Sequence, residues 1–197
     1  DVCSSDLHGG ASFDGTADEI LSFADAAPSS YATDDGFQYV ANAGDVNDDG
    51  VTDLIASAPY NTDSNGDYLN QAYLYYGGSS LSSTPSVTID YSDSLGTEFL
   101  GRMQVTGLGD FNDDGVDDFA IGLNQASTPT NTDGKVHVFY GNSSSSFDGA
   151  DLTLIPEARE QEGYYANGYS IAGGQDVNGD GVPDLVLLSA IVNTAGG

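Results

Sequence analysis

Asp, Asn, Asp, Gly and Asp stand at positions 1, 3, 5, 6 and 9 of a nine-residue stretch that occurs three times in this chain. The copies run Asp45–Asp53, Asp110–Asp118 and Asp176–Asp184, with 65 and then 66 residues between successive first aspartates. Oxygen side chains on alternate residues, followed by a glycine turn, are what a hard divalent cation needs from a short loop. Calcium takes six to eight oxygens at about 2.3–2.6 Å. The ligands this spacing offers are Asp45, Asn47, Asp49 and Asp53 with the Val51 carbonyl; Asp110, Asn112, Asp114 and Asp118 with the Val116 carbonyl; and Asp176, Asn178, Asp180 and Asp184 with the Val182 carbonyl. The predicted cofactor is Ca2+ at three sites.

Two carboxylates about 5 Å apart repel by roughly 3 kcal/mol at an effective dielectric of 20. Three at the ligand positions of each loop, with no Lys or Arg inside the nine residues, favour a cation over a merely solvated Asp/Asn/Gly turn. An EF-hand loop would need an acidic ligand at position 12 and a helix after it. Position 12 is Ala56, Ile121 and Leu187, so the EF-hand reading fails. Short apolar runs follow position 9 instead: Leu54–Ser57, Phe119–Gly122 and Leu185–Leu188. They read as buried strands, so the loop joins strand to strand.

Stepping outward along the chain, other features fall into register with the loops. Candidate first strands precede them at Phe37–Val40, Arg102–Val105 and Gly168–Ile171. Third strands alternate well at Ala72–Gly77 and Val136–Gly141, and weaker fourth strands follow at Val87–Ile89 and Leu152–Ile155. Upstream, His8-Gly9-Gly10 and Ile20–Phe23 read as the closing turn and fourth strand of a preceding unit. Four short antiparallel strands in each unit of about sixty-five residues is the anatomy of a β-propeller blade; a tandem of small β-sandwiches is the rival. The predicted fold is all-β: a partial β-propeller of four-stranded antiparallel blades with a calcium loop between the first two strands of each. The predicted units are 8–30 (end of a blade), 31–95, 96–160 and 161–197 (a truncated blade). Residues 1–7 resemble a translated sequencing adapter and are set aside as a scar, which leaves Cys3 without a role.

The charge balance is extreme, with 3 Lys+Arg against 31 Asp+Glu and a formal net charge of −28 over 197 residues. Nine carboxylates stand at the ligand positions of the loops, so most of the excess lies elsewhere and suits salty or calcium-rich surroundings, where self-repulsion is screened. Without a basic patch, nucleic acid and anionic membranes are excluded as partners. No stretch of eighteen apolar residues exists to span a bilayer. His137 and the Tyr73, Tyr75 and Tyr76 group read as packing residues rather than a metal ligand and a sugar-stacking platform. Arg102 and Lys135 read as makers of local ion pairs. Asn142-Ser143-Ser144 is a lone match to a glycosylation sequon. No nucleophile elbow, zinc motif or phosphate-cradling loop is present, so the chain is not read as an enzyme.

These loops, strands and period resemble the FG-GAP repeats of the integrin alpha-subunit β-propeller and its bacterial relatives. Gly168-Tyr169-Ser170-Ile171-Ala172-Gly173 before the third loop carries the resemblance, as does Ala58-Pro59 after the first, where the family has Gly-Ala-Pro. Leu123-Asn124 and Ser189-Ala190 depart from the Ala-Pro step. The resemblance implies a ring of about seven blades with calcium loops on one face and ligand-binding loops on the other. It makes this chain a piece of a longer protein, partnered by further blades of the same parent chain. The function it implies is a calcium-binding, non-catalytic segment of an extracellular or cell-surface protein. Its role would be adhesion or recognition of an unknown protein or carbohydrate ligand. The alternative is an accessory substrate-binding propeller of a larger secreted enzyme.

Overall fold

The computed structural model describes residues 4–6, 19–21, 36–63, 65, 67–91, 102–124, 134–144, 146–155 and 164–192. These residues hold twelve strands: β1 (Ser4–Asp6), β2 (Glu19–Leu21), β3 (Tyr39–Gly44), β4 (Asp53–Ala58), β5 (Gln71–Tyr75), β6 (Val87–Asp90), β7 (Met103–Gly109), β8 (Asp118–Leu123), β9 (Lys135–Phe139), β10 (Leu152–Leu154), β11 (Tyr164–Gln175) and β12 (Asp184–Val192). Two four-stranded antiparallel meanders, β3-β4-β5-β6 and β7-β8-β9-β10, stand beside a two-stranded pair, β11-β12. The protein is all-β, built of partial-propeller blades, as the sequence implies.

The segment set aside as a scar contributes β1, which pairs with β2 from Ser4 opposite Leu21 to Asp6 opposite Glu19. Cys3 and His8–Gly10 lie outside the described residues. The first strands of the two four-stranded blades begin later than their sequence signal and run longer, whereas β11 begins before its signal, at Tyr164. Phe37 and Gln38 precede β3, and Arg102 precedes β7. The small polar ends Asn42 to Gly44 and Thr106 to Gly109 join the ladder because β4 and β8 pair with them. Pairing to a neighbour decides strand membership more than intrinsic preference does.

Alternation along each strand sends its two faces to two different cores. On β4 and β5, Ile55, Ala72 and Leu74 face the second blade, where they meet Met103, Val105, Phe119, Ile121, Leu123, Phe139 and Phe147. Their neighbours Ala56, Ala58, Tyr73 and Tyr75 face the other way, onto Leu21 of β2. The same division recurs on β8 and β9. Phe119 and Ile121 look back to the first blade. Ala120, Val136 and Val138 look forward to Ile171 and Leu185 of the third. Burial on both faces is why the second strands read as continuous apolar runs rather than as alternating ones. Phe119 stacks on Phe139 (centroids 4.9 Å, planes 5° apart) with Phe147 edge-on at 5.2 Å.

The first strands β3, β7 and β11 belong to separate sheets yet border one cavity of about 410 Å³, whose lining includes Asn42, Gly44, Thr106, Gly109, Asp117 and Gln175. A Cβ built at Gly107 would stand 2.5 Å from the Asn42 carbonyl oxygen, so glycine there lets the second blade's first strand approach the first blade's backbone.

Candidate metal centre

Each nine-residue loop connects the first two strands of a unit: β3 to β4, β7 to β8 and β11 to β12. A one-residue bulge in the incoming strand sets the loop's direction. The register shifts fall between Asn42 and Gly44, between Gly107 and Gly109, and between Ala172 and Gln175. Within the loop the backbone turns left-handed at position 4 (Asp48 φ 59°, Asp113 φ 61°, Gly179 φ 81°) and again at position 6 (Gly50 φ 86°, Gly115 φ 95°, Gly181 φ 96°). A Cβ at any of the position-6 glycines would meet nothing within 4 Å. Glycine is therefore required there by dihedral angle and not by space.

The side chains at positions 1, 3 and 5 curl over this turn in the same way three times. In the first loop Asp45 accepts the Asp49 N–H at Oδ1 (2.9 Å) and the Gly50 N–H at Oδ2 (2.8 Å). Asn47 Oδ1 accepts the same Asp49 N–H (3.0 Å) and its Nδ2 donates to Asp49 Oδ2 (3.1 Å). Asp49 Oδ1 accepts the Val51 N–H (2.9 Å). In the second loop Asp110, Asn112 and Asp114 repeat every one of these bonds at 2.8–3.0 Å. In the third, Asp176, Asn178 and Asp180 do so at 2.8–3.1 Å. Because the position-1 and position-3 oxygens share one N–H, they are held close together on one side of the turn.

Position 9 does a different job. Asp53 and Asp118 have no exposed surface. Asp53 accepts the Val46 N–H (3.0 Å) and, at its other oxygen, the Gly77 N–H (2.8 Å) just past β5. Asp118 accepts from Phe111 (2.9 Å), Asn112 (3.1 Å) and Gly141 (2.8 Å). The carboxylate thus ties the loop to the end of the third strand. Burial pushes the Asp118 carboxyl up to about 6 against the opposing pull of those N–H groups, and raises Asp53 for the same reason. Asp184, partly exposed, accepts among the described residues only within its own loop, from the N–H groups of Val177 (2.8 Å) and Asn178 (3.2 Å) and from Asn178 Nδ2 (3.2 Å). Asp176 is open to solvent, and N–H bonds led by Gly181 hold its carboxyl below the usual range.

The predicted ligand residues of each loop are thus brought together around one turn, with position 9 at its base. Val51, Val116 and Val182 enter through their main chain, the N–H already bonded to position 5. Among the described residues, no group of three or more His, Cys, Asp or Glu side chains forms a cation cage; the carboxylates lie on their own N–H groups. The donor set still fits a hard cation, since each of these carboxylates keeps at least one oxygen with a lone pair to spare, even Asp118 and Asp184, whose Oδ2 atoms each accept two N–H groups, and all the donors are oxygens.

Sequence reasoning missed two sets of residues. Gly77 and Gly141 supply the N–H groups that clasp position 9, and a Cβ on either would collide with the main chain of the loop, at Thr52 and Asp117. Their signal was the matching Tyr-Gly close of both third strands. The other set is position 8, which carries no pattern. The Asp117 carboxylate accepts the Asp45 N–H of the preceding loop (2.8 Å), and the Pro183 ring sits 3.1 Å from where a Gly109 Cβ would be.

His137 is half-buried, its Nδ1 3.2 Å from the Tyr91 hydroxyl of the first blade. Burial, with the Lys135 charge adding to it, lowers its pKa to about 4. Tyr73 and Tyr75 are buried between sheets, as packing residues are.

The FG-GAP repeat profile matches residues 167–188, which span the third loop and its flanking strands. Integrin alpha-7 of Rattus norvegicus is 34% identical over 162 residues, covering 81% of this chain and 13% of the integrin. Integrin alpha-8 of Mus musculus is 32% identical over 77% of the chain and 14% of its own length. Integrin alpha-5 of Xenopus laevis is 30% identical over 80% of the chain and 15% of its own length. The chain therefore spans about a seventh of the length of the curated relatives it matches. Repeated loops, four-stranded blades and these likenesses agree in supporting an FG-GAP repeat fragment of the integrin alpha-subunit propeller type.

Proposed function

We propose that the three loops are calcium sites, with Asp45, Asn47, Asp49, Val51 and Asp53 as ligands of the first. Asp110, Asn112, Asp114, Val116 and Asp118 serve the second, and Asp176, Asn178, Asp180, Val182 and Asp184 the third. The observation that carries this reading is one hydrogen-bond closure repeated three times, with acidic and amide oxygens gathered over a left-handed turn. When bound, the cation supplies the positive charge that these carboxylates otherwise lack. The chain's own part is to hold oxygens in place: position 6 sets the turn, and position 9 of the first two loops fixes it to the third strand.

The wider role we propose is a non-catalytic propeller segment of an extracellular or cell-surface protein, acting in adhesion or in recognition of a protein or carbohydrate ligand. The likeness to integrin alpha subunits supports it. Further blades of the parent chain would complete the packing. Val186 and Leu188 on β12 are 55% and 56% exposed. Ile55 and Ala120, the counterparts of Val186, are fully buried against the following blade.

The test is a calcium titration of the full chain by calorimetry, with thermal melts in calcium and in chelator. Calcium at a hundredfold its Kd stabilises by about 2.7 kcal/mol per site, so the melting midpoint rises with concentration. Three bound equivalents and a midpoint that falls in chelator support the reading. Absence of binding heat together with an unchanged melt sinks it.

A further inference from the structure

The bond between the Asp117 side chain and the Asp45 main chain runs from one loop to another. Asp117 occupies position 8 of the second loop, where no ligand is needed, and its Oδ2 accepts the N–H of the residue that opens the first loop (2.8 Å). The carboxylate fills the place of the missing Gly44 side chain, where any Cβ would collide with it. A second bond grips the following residue, since the Asn142 N–H donates to the Val46 carbonyl (2.9 Å). The neighbouring Gly141 N–H donates to Asp118 (2.8 Å), the position-9 residue of the second loop. The Asp45-Val46 segment is therefore held from outside at both its N–H and its C=O, and both grips come from the second blade.

The corresponding place in the next pair of loops is filled differently. Pro183, at position 8 of the third loop, packs beside Gly109, and its side chain has no acceptor. The first loop is thus latched by a hydrogen bond where the second is met by an apolar ring.

We propose that Asp117 is a positioning residue for the neighbouring site: it orders the opening of the Asp45–Asp53 loop, so that cation binding there depends on a side chain of the next blade. This rests on the reading of Asp45–Asp53 as a cation site. The Asp117 carboxylate accepts the N–H of Asp45. It acts through the Asp45 main chain and adds one negative charge beside it.

The experiment is hydrogen exchange of the full chain, followed by mass spectrometry at a series of calcium concentrations and in chelator. The variants are Asp117→Ala, Asp117→Asn and Pro183→Ala. In Asp117→Ala the calcium needed for half-protection of the Asp45–Asp53 amides rises about three- to tenfold, the worth of one lost hydrogen bond. The Asp110–Asp118 amides, in the loop that carries the substitution, keep the wild-type requirement. Asp117→Asn retains an acceptor oxygen and restores most of the protection. Pro183→Ala leaves the second loop's requirement unchanged. Equal weakening of both loops, loosening throughout the two four-stranded sheets, or a Pro183→Ala effect as large as that of Asp117→Ala overturns the proposal. In chelator, Asp117→Ala speeds exchange in the first loop alone, and unaltered exchange there also overturns it. Failure of calcium to protect any wild-type loop overturns the cation reading instead, and the chelator comparison still decides the latch.

Discussion

Asp118 shows how one residue type serves two ends in this chain. It is buried, its two oxygens receive three backbone N–H groups, and it is also the ninth position of a candidate site. Replacing it by Ala would leave buried donors unsatisfied, at about 1–3 kcal/mol each before any cation is considered. We therefore expect Asp118→Ala to lower the urea midpoint in chelator, while Asp110→Ala, whose carboxylate is more exposed, lowers it far less. Equal effects would mean that position 9 is no structural clasp. Gly141→Ala should be at least as damaging, because its Cβ has no room against the Asp117 main chain. His137 makes a pH prediction. Its folded pKa, near 4, lies below the ordinary 6.5, so the unfolded chain binds the extra proton between these values. The stability this group protects is full above about pH 6.5 and is lost as pH falls toward 4. In urea melts from pH 7 to pH 4, His137→Phe should lose less stability than the wild type. Asp118, with its raised pKa, acts in the opposite direction over that range and is common to both proteins. A parallel fall in the two would refute the assignment.

At the level of the element, the second strand of each unit is the structural centre. β4 and β8 are paired on both edges and buried on both faces, and each begins at a position-9 aspartate. Phe119 lies at the middle of the contact between blades, stacked on Phe139 and capped by Phe147. Phe119→Ala should cost about 3–5 kcal/mol, read as a shift of the urea midpoint at constant slope. β12 lacks this enclosure, since Val186, Leu187 and Leu188 are exposed. Its amides should exchange faster than those of β4 and β8 in a peptide-resolved exchange experiment.

Across the whole molecule, the charge of −28 and the three loops act on stability together. Self-repulsion in a chain with so few cations should make stability rise with monovalent salt even in chelator. Calcium should add a larger, saturable gain at far lower concentration. Melts in sodium chloride and in calcium at matched ionic strength separate the two; identical curves would assign all of the calcium effect to screening. The blades are joined by side-by-side packing rather than by a shared sheet, as in other arrays whose stability is a sum of units and their interfaces.

Period, loop conformation and strand order were legible in the sequence because each is local. Oxygen spacing within nine residues, a glycine where the backbone must turn left-handed and apolar runs between turn residues all follow from neighbours in the chain. The strand limits at Gly44 and Gly109 were not legible, since small polar residues join a ladder only when a partner strand presents its N–H and C=O groups. Nor did the spacing reveal that position 9 clasps Gly77 and Gly141, or that Asp117 reaches the Asp45 main chain. Those contacts link residues 23 to 72 positions apart. Only the packing of one blade against the next brings them within hydrogen-bond distance, so the spacing of the oxygens belongs to the loop and its rigidity to the tertiary structure.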